Sequence, residues 1–190
     1  MDESGNHHGW LAAALAEYRH RWPADGEAVA QFEDLLNAPS NADPFRREHL
    51  VGHFTGSAWL VSADGERALL LHHRKLDRWL QPGGHADGDG DLAAVALREA
   101  AEETGLSGLR VEPAIFDLDR HRIPARGAEP EHWHYDVRFV VHADKHEAYV
   151  VSEESHALAW RPIAEIAEDP GMDASVRRLA RKFLDRVGCV

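Results

Sequence analysis

Three glutamates, Glu99, Glu102 and Glu103, stand at i, i+3 and i+4 in the run from Leu92 to Leu106. If that run is helical, the spacing gathers them within an arc of about 100° on one face. Like charges so placed repel by about 0.2–0.5 kcal/mol per pair. A hard divalent cation reverses the penalty, because Mg²⁺ takes oxygen ligands and enters with some of its water. For an isolated E-x-x-E-E the plainer account is a solvated acidic face. The balance shifts with the glycine-rich approach Gln81-Pro82-Gly83-Gly84-His85-Ala86-Asp87-Gly88-Asp89-Gly90-Asp91 immediately upstream. The helix itself is well signalled. Asp89 or Asp91 can cap its start, residues 92 to 104 hold no proline or glycine, and Gly105 suits the left-handed position beyond its end. Ala93, Leu97, Ala100, Ala101 and Thr104 share the other face, suited to lying on a sheet. Arg98 is placed to pair with a carboxylate, Glu102 being four residues on.

Gly84, Arg98, Glu99, Glu102, Glu103, Gly105 and Leu106 fall in the register of the Nudix box, and the segment Gly84 to Leu106 resembles that box closely. One position departs: Gly90 occupies the slot of the first box glutamate, with Asp89 and Asp91 on either side. The resemblance implies an α/β fold, the family's α/β/α sandwich with a mixed sheet and the box helix packed on it. It implies a pyrophosphohydrolase that cuts a phosphoanhydride in a small nucleoside-diphosphate-linked or related substrate, using Mg²⁺ or Mn²⁺. Glu99, Glu102 and Glu103 are then the metal ligands, joined by a backbone carbonyl at Gly83, and one of them could act as base through water. Arg98 supports the helix. The family often draws a further glutamate from a loop ahead of a strand ending in Trp, and here Glu153 and Glu154 precede Trp160, with Glu154 the first choice. The glycine at position 90 keeps a second reading open, a catalytically silent module of the same fold that senses or binds a ligand. An isoprenoid diphosphate isomerase, which shares the fold, is disfavoured because the lone cysteine, Cys189, is far along the chain from the box.

Other side chains suit a phosphorylated substrate. Arg120, His121 and Arg122 are candidates for phosphate contact, since arginine binds phosphate in bidentate fashion. Arg74 and Lys75 precede the box and can do the same, and His85 adjoins Gly84. His132 and His134, two residues apart, would share one face of a strand, a geometry that suits Zn²⁺ or Mn²⁺, a substrate contact, or simply the top of a strand. His49 and His53 have helical spacing, but Gly52 weakens that pair and they receive no role. Asp87, Asp89 and Asp91 imitate a calcium loop, yet Leu92 sits where its glycine belongs and Arg98 where its glutamate belongs. Trp59, Trp79, Trp133 and Tyr135 could stack on a base, although aromatics near strands more often belong to a core.

The rest of the chain must position these groups. The reading is residues 1–44 as an N-terminal helical extension and 45–190 as the hydrolase domain. Residues 1 to 9 look frayed; Trp10, Leu11, Ala14, Leu15 and Tyr18 mark one helix, and Val29, Phe32, Leu35 and Leu36 a second. These helices suit covering a sheet edge, forming a homodimer or shaping the substrate entrance, the first being the default. Strands are expected at Ala58–Val61, Ala68–Leu71, Leu109–Leu118, Tyr135–Val141 and Ala157–Trp160, with Asp119 to Pro130 irregular. A helix starts near Pro162, and a last one carries Val176 to Val187 up to Gly188. A net charge of −12 argues against a nucleic-acid polymer as partner, which needs a basic footprint, but not against a small phosphorylated substrate. With a polar start, one cysteine and no apolar run long enough to span a bilayer, the expectation is a cytoplasmic protein without membrane contact.

Overall fold

The computed structural model describes residues 3–39, 42–127, 129–152 and 155–188, with side chains from His7 onward. Glu153, Glu154 and Cys189, all weighed from the sequence, lie outside the described residues. In chain order the elements are α1 (Glu3–Arg21), a 3₁₀ turn (Pro23–Asp25), α2 (Gly26–Leu36), β1 (Gly52–Val61), β2 (Arg67–His73), β3 (Arg78–Leu80), β4 (Gly83–His85), α3 (Leu92–Thr104), β5 (Arg110–Val111), β6 (Asp117–Ile123), β7 (His132–His142), β8 (Ser155–Pro162), α4 (Ile163–Glu168) and α5 (Ala174–Gly188). The strands form one mixed sheet flanked by helices, with hydrogen-bonded neighbours in the order β3-β2-β1-β7-β5; β4 pairs with β1, β6 with β7 and β8 with β2.

By contacts the chain divides into two compact units. One comprises the chain up to Gly56, Gly84–Val95 and Glu112–Phe139; the other comprises Ser57–Gly83, Ala96–Val111 and the chain from Val140 onward.

In the first unit α1 and α2 close over the sheet. Leu11, Leu15 and Tyr18 of α1 are buried at i, i+4 and i+7, and Val29, Phe32, Leu35 and Leu36 of α2 are buried too. Tyr18 Oη donates to Asp25 Oδ2 at 2.5 Å, fixing the angle between the helices at the Pro23 turn. Phe32 packs edge-on against Tyr135 of β7 and lies 6.2 Å from Phe54 of β1. The helices therefore pack on the face of β1 and β7, and α2 also lies against β6, which among the described residues pairs only with β7. Two expectations fail here. α1 begins at Glu3 rather than near Trp10, and its first turns carry contacts of their own: His8 meets Phe45 edge-on at 5.4 Å. β6 occupies Asp117–Ile123, where an irregular segment was expected, and the span from Leu109 is broken into β5 and β6. Asp119-Arg120-His121-Arg122 shows no apolar alternation because both of its faces meet polar or aromatic partners; the antiparallel register with β7, Arg120 opposite Tyr135 and His121 opposite His134, makes it a strand.

In the second unit β2 is antiparallel to β1, β3 and β8, and Ala68 through Leu71 are buried. The turn between β1 and β2 is closed by the Ser62 hydroxyl donating to Asp64, with Gly65 at φ 77°. Pro162 caps α4, and Val176, Leu179, Ala180 and Phe183 of α5 are buried, as the helical stripe implies, whereas Leu184 is half-buried and Val187, at the stripe's end, is exposed.

Candidate active site

Helix α3 starts and stops where its sequence says. Asp91 is the cap: its Oδ1 accepts the Ala94 N–H at 3.0 Å, while Asp89 Oδ1 accepts the Asp91 N–H. Gly105 ends the helix at φ 69°. Of the sheet-facing residues Ala93, Ala100 and Thr104 are buried, joined by Leu92, Val95 and Ala96, whereas Leu97 and Ala101 are half-buried.

The three carboxylates have different surroundings. Glu103 is 9% exposed, and its Oε2 accepts the Gly83 N–H at 2.9 Å. Gly83 can approach because it lacks a side chain: a Cβ there would sit 2.1 Å from Ser57 Oγ. Glu99 is half-buried with its Oε1 3.6 Å from Arg98 Nη2, so the ion pair observed for Arg98 is with its neighbour rather than with Glu102. Glu102 is exposed. One helix thus presents a fixed acid, a paired acid and a solvent-facing acid within one turn, an all-oxygen donor set of the kind a hard divalent cation takes. This donor chemistry fits Mg²⁺ or Mn²⁺.

Gly90, the departure in the box, is buried, and a Cβ there would fall 2.2 Å from Cβ of His7. Helix α1 fills the space into which a glutamate at this position would project. Asp87, at φ 50°, is taken up by Arg47, whose Nε and Nη2 reach its two carboxylate oxygens at 2.8 and 2.7 Å.

A second polar cluster lies within the first unit. On β7, His132 and His134 face the same way, as spacing implies, with their Nε2 atoms 3.3 Å apart. His53 of β1 stacks on His132, ring centroids 4.9 Å apart, and is 4.9 Å from His134; His85 and His121 complete the group against His134 at 4.9 and 5.4 Å. Burial, then the neighbouring His85 and His132, pulls His53 down to about 4. Burial and the surrounding imidazoles pull His134 down to about 2. Burial and then Arg47 lower His85. Burial opposes the charge on His121, but its hydrogen bond to Asp119 and the charge of Asp136 outweigh that and raise it. Farther along the same strands the buried Arg138 meets Asp136 at 2.7 Å, Asp119 at 3.2 Å and Asp117 at 3.5 Å, and Thr55 donates to Asp136. Burial disfavours its charge, and these acids more than restore it.

Of the residues expected to meet substrate, His85 and His121 join this histidine group. Arg120 lies over Trp133, 3.8 Å from the ring centroid, with Tyr135 at 5.2 Å. Arg122 is paired with Glu131 on the exposed surface. In the second unit Arg74 is exposed and donates to the Ser155 carbonyl at 3.1 Å, and Lys75 is exposed. Trp59 is core, fully buried; Trp79 stacks with His72 at 5.1 Å. Sequence reasoning passed over His53 by treating it as helical. The alternation of His53, Thr55 and Ser57 against Phe54, Gly56 and Ala58 was the signal that it belongs to a strand with one polar face.

Residues 53–183 match the family model described as NUDIX domain. The chain is 34% identical over 141 residues to a protein of Mycobacterium tuberculosis named putative 8-oxo-dGTP diphosphatase 3, a match covering 67% of this chain and 62% of that one. The chain therefore spans less than two thirds of the length of that relative. Among solved structures, a Caenorhabditis elegans Ap4A hydrolase binary complex superposes with TM-score 0.57 at 18% identity, covering 72% of this chain and 98% of that one. The Escherichia coli dihydroneopterin triphosphate pyrophosphohydrolase does so with TM-score 0.57 at 19% identity, covering 70% and 95%.

Proposed function

The chain belongs to the NUDIX family, and from that premise we propose that it hydrolyses a phosphoanhydride bond in a small nucleoside-polyphosphate-like substrate, with Mg²⁺ or Mn²⁺ held by Glu99, Glu102 and Glu103. The observation that carries the reading is the graded set of carboxylates on one turn of α3, with Glu103 fixed by the Gly83 amide. A hard cation bound there would neutralise phosphate oxygens and acidify the attacking water. The protein's own groups supply position. The Gly83 N–H leaves one oxygen of Glu103 directed by a fixed backbone, and Arg98 restrains Glu99. Glu154 keeps the role of general base as a proposal resting on its place ahead of β8. Arg74, Lys75, Arg120, His121 and Arg122 are proposed phosphate contacts; Arg120 has the firmest support, since stacking on Trp133 pre-organises its guanidinium. The named relatives include proteins whose names mention 8-oxo-dGTP, Ap4A and dihydroneopterin triphosphate, and these define the first substrate panel.

The test is hydrolysis across that panel, with ADP-ribose added, in Mg²⁺, Mn²⁺ and chelator. We expect metal-dependent product release that falls by about 10²-fold or more in Glu102→Gln and Glu103→Gln, the scale of losing one group that stabilises developing charge. Full activity in both variants would move the site elsewhere. Saturable binding of a panel member without cleavage in either metal would favour the silent module instead.

A further inference from the structure

We propose that His53, His132 and His134 form a second metal site, built from imidazoles, for a borderline-soft transition ion such as Zn²⁺. It uses none of the box carboxylates. One ligand nitrogen from each of the three lies within 4.8 Å of the other two. The Nε2 atoms of His132 and His134 are 3.3 Å apart, and two Zn–N bonds of about 2.0–2.1 Å at a tetrahedral angle place their nitrogens about 3.4 Å apart.

The His132 ring is also held as a ligand would be. His132 Nδ1 lies 2.9 Å from the Pro130 carbonyl; donating its proton there leaves the Nε2 lone pair facing His134. His53 is 1% exposed, and neither of its ring nitrogens meets a partner at hydrogen-bond geometry, although the His49 main chain lies near enough to act on it. A buried imidazole with both nitrogens unsatisfied is costly, and a bound ion would satisfy one of them. Ring stacking explains why the three imidazoles are close, but it leaves the two nitrogens of His53 without hydrogen-bond partners. The donor set also selects the ion: neutral imidazoles suit Zn²⁺, Co²⁺ and Ni²⁺, whereas Mg²⁺ prefers oxygen. Three histidines leave a fourth position, and His85, with ring centroids 5.1 Å from His53 and 4.9 Å from His134, is the neighbour placed to fill or shield it.

The probe is Co²⁺ added to the full-length protein after chelator treatment and desalting, with millimolar Mg²⁺ present throughout to occupy hard oxygen sites. Co²⁺ in a four-coordinate nitrogen site gives an intense visible ligand-field band. We expect one equivalent to bind, to be displaced by Zn²⁺, and to bind more than about tenfold more weakly in His134→Gln and in His53→Asn, each checked for folding by circular dichroism. His156→Asn, on an exposed face of β8, and Glu102→Gln should both bind Co²⁺ as the unaltered protein does. Should His53→Asn fail to fold, His134→Gln, whose ring is half-buried, carries the test. The proposal is overturned if no band forms with Mg²⁺ present, if the folded histidine variants keep full affinity, or if Glu102→Gln abolishes the band.

Discussion

Arg138 shows how much of this protein's polar chemistry lies out of water. Its side chain is 2% exposed and ringed by Asp117, Asp119 and Asp136, with Asp117 and Asp136 themselves buried. Attraction within such a group mainly offsets the cost of taking the charges out of water, so it adds little net stability while intact. Breaking it is another matter. Arg138→Met retains most of the volume but leaves several buried carboxylates facing one another, and we expect it to cost about 3–5 kcal/mol. Asp136→Asn, which removes one acid of three and keeps a group able to accept from Thr55, should cost distinctly less. Urea denaturation of both variants at neutral pH measures the difference, and a loss near zero for Arg138→Met would mean that the arginine acts by packing alone. The sequence showed the alternation of Asp136 and Arg138 with Val137 and Phe139 but not its meaning. Alternation marks two faces; it does not say that the polar face is also covered. The box carboxylates were legible because their spacing and the glycine-rich approach to them lie in one continuous segment. The histidine group was only half legible, since His53 joins His132 and His134 through pairing between strands far apart in sequence, and no local pattern encodes that.

At the scale of elements, the departure at Gly90 and the early start of α1 are one fact. Glu3 to Gly9 offers no apolar stripe, so nothing local announces a helix there. What holds its first turns is tertiary: His8 against Phe45 and His7 over Gly90. The box glycine is therefore a packing requirement of the N-terminal helix. Gly90→Ala should force a shift at a contact of 2.2 Å and cost about 1–3 kcal/mol, the usual scale of overpacking. The damage should be local, seen as faster hydrogen exchange in the first turns of α1. Adding His7→Gly, which removes the colliding Cβ, should recover part of the loss. An alanine variant as stable and as protected as the original would show that α1 does not depend on this contact. The other elements divide by the same rule. α2, α3 and α5 were readable because an apolar face and terminal signals lie within a single segment. β6 was not, because only its register against β7 makes a strand of charged residues.

For the molecule as a whole, 33 acidic residues against 21 lysines and arginines set a field that any anionic substrate must cross. Net charge says nothing about fold, but it governs encounter. The screening length falls from about 30 Å at 0.01 M ionic strength to about 8 Å at 0.15 M. Over that range, repulsion between this protein and a polyphosphate should fade, while contacts at the site, acting over a few ångströms, should change much less. We therefore expect kcat/KM for the best panel substrate to rise with added NaCl, by about twofold or more, at fixed free Mg²⁺ and subsaturating substrate. The change should appear mainly in KM. The opposite slope would mean that local cations, with Arg74, Lys75 and Arg120 the first to test, outweigh the global charge. A charge-neutralising variant of Arg120 would then flatten the dependence. For a binder of nucleic-acid polymers, by contrast, affinity falls steeply with added salt, because the counterions set free on binding gain less entropy in a saltier solution. A kcat/KM that rises with salt would thus set this protein, admitting a small anion against its own field, apart from one built to hold a long polyanion.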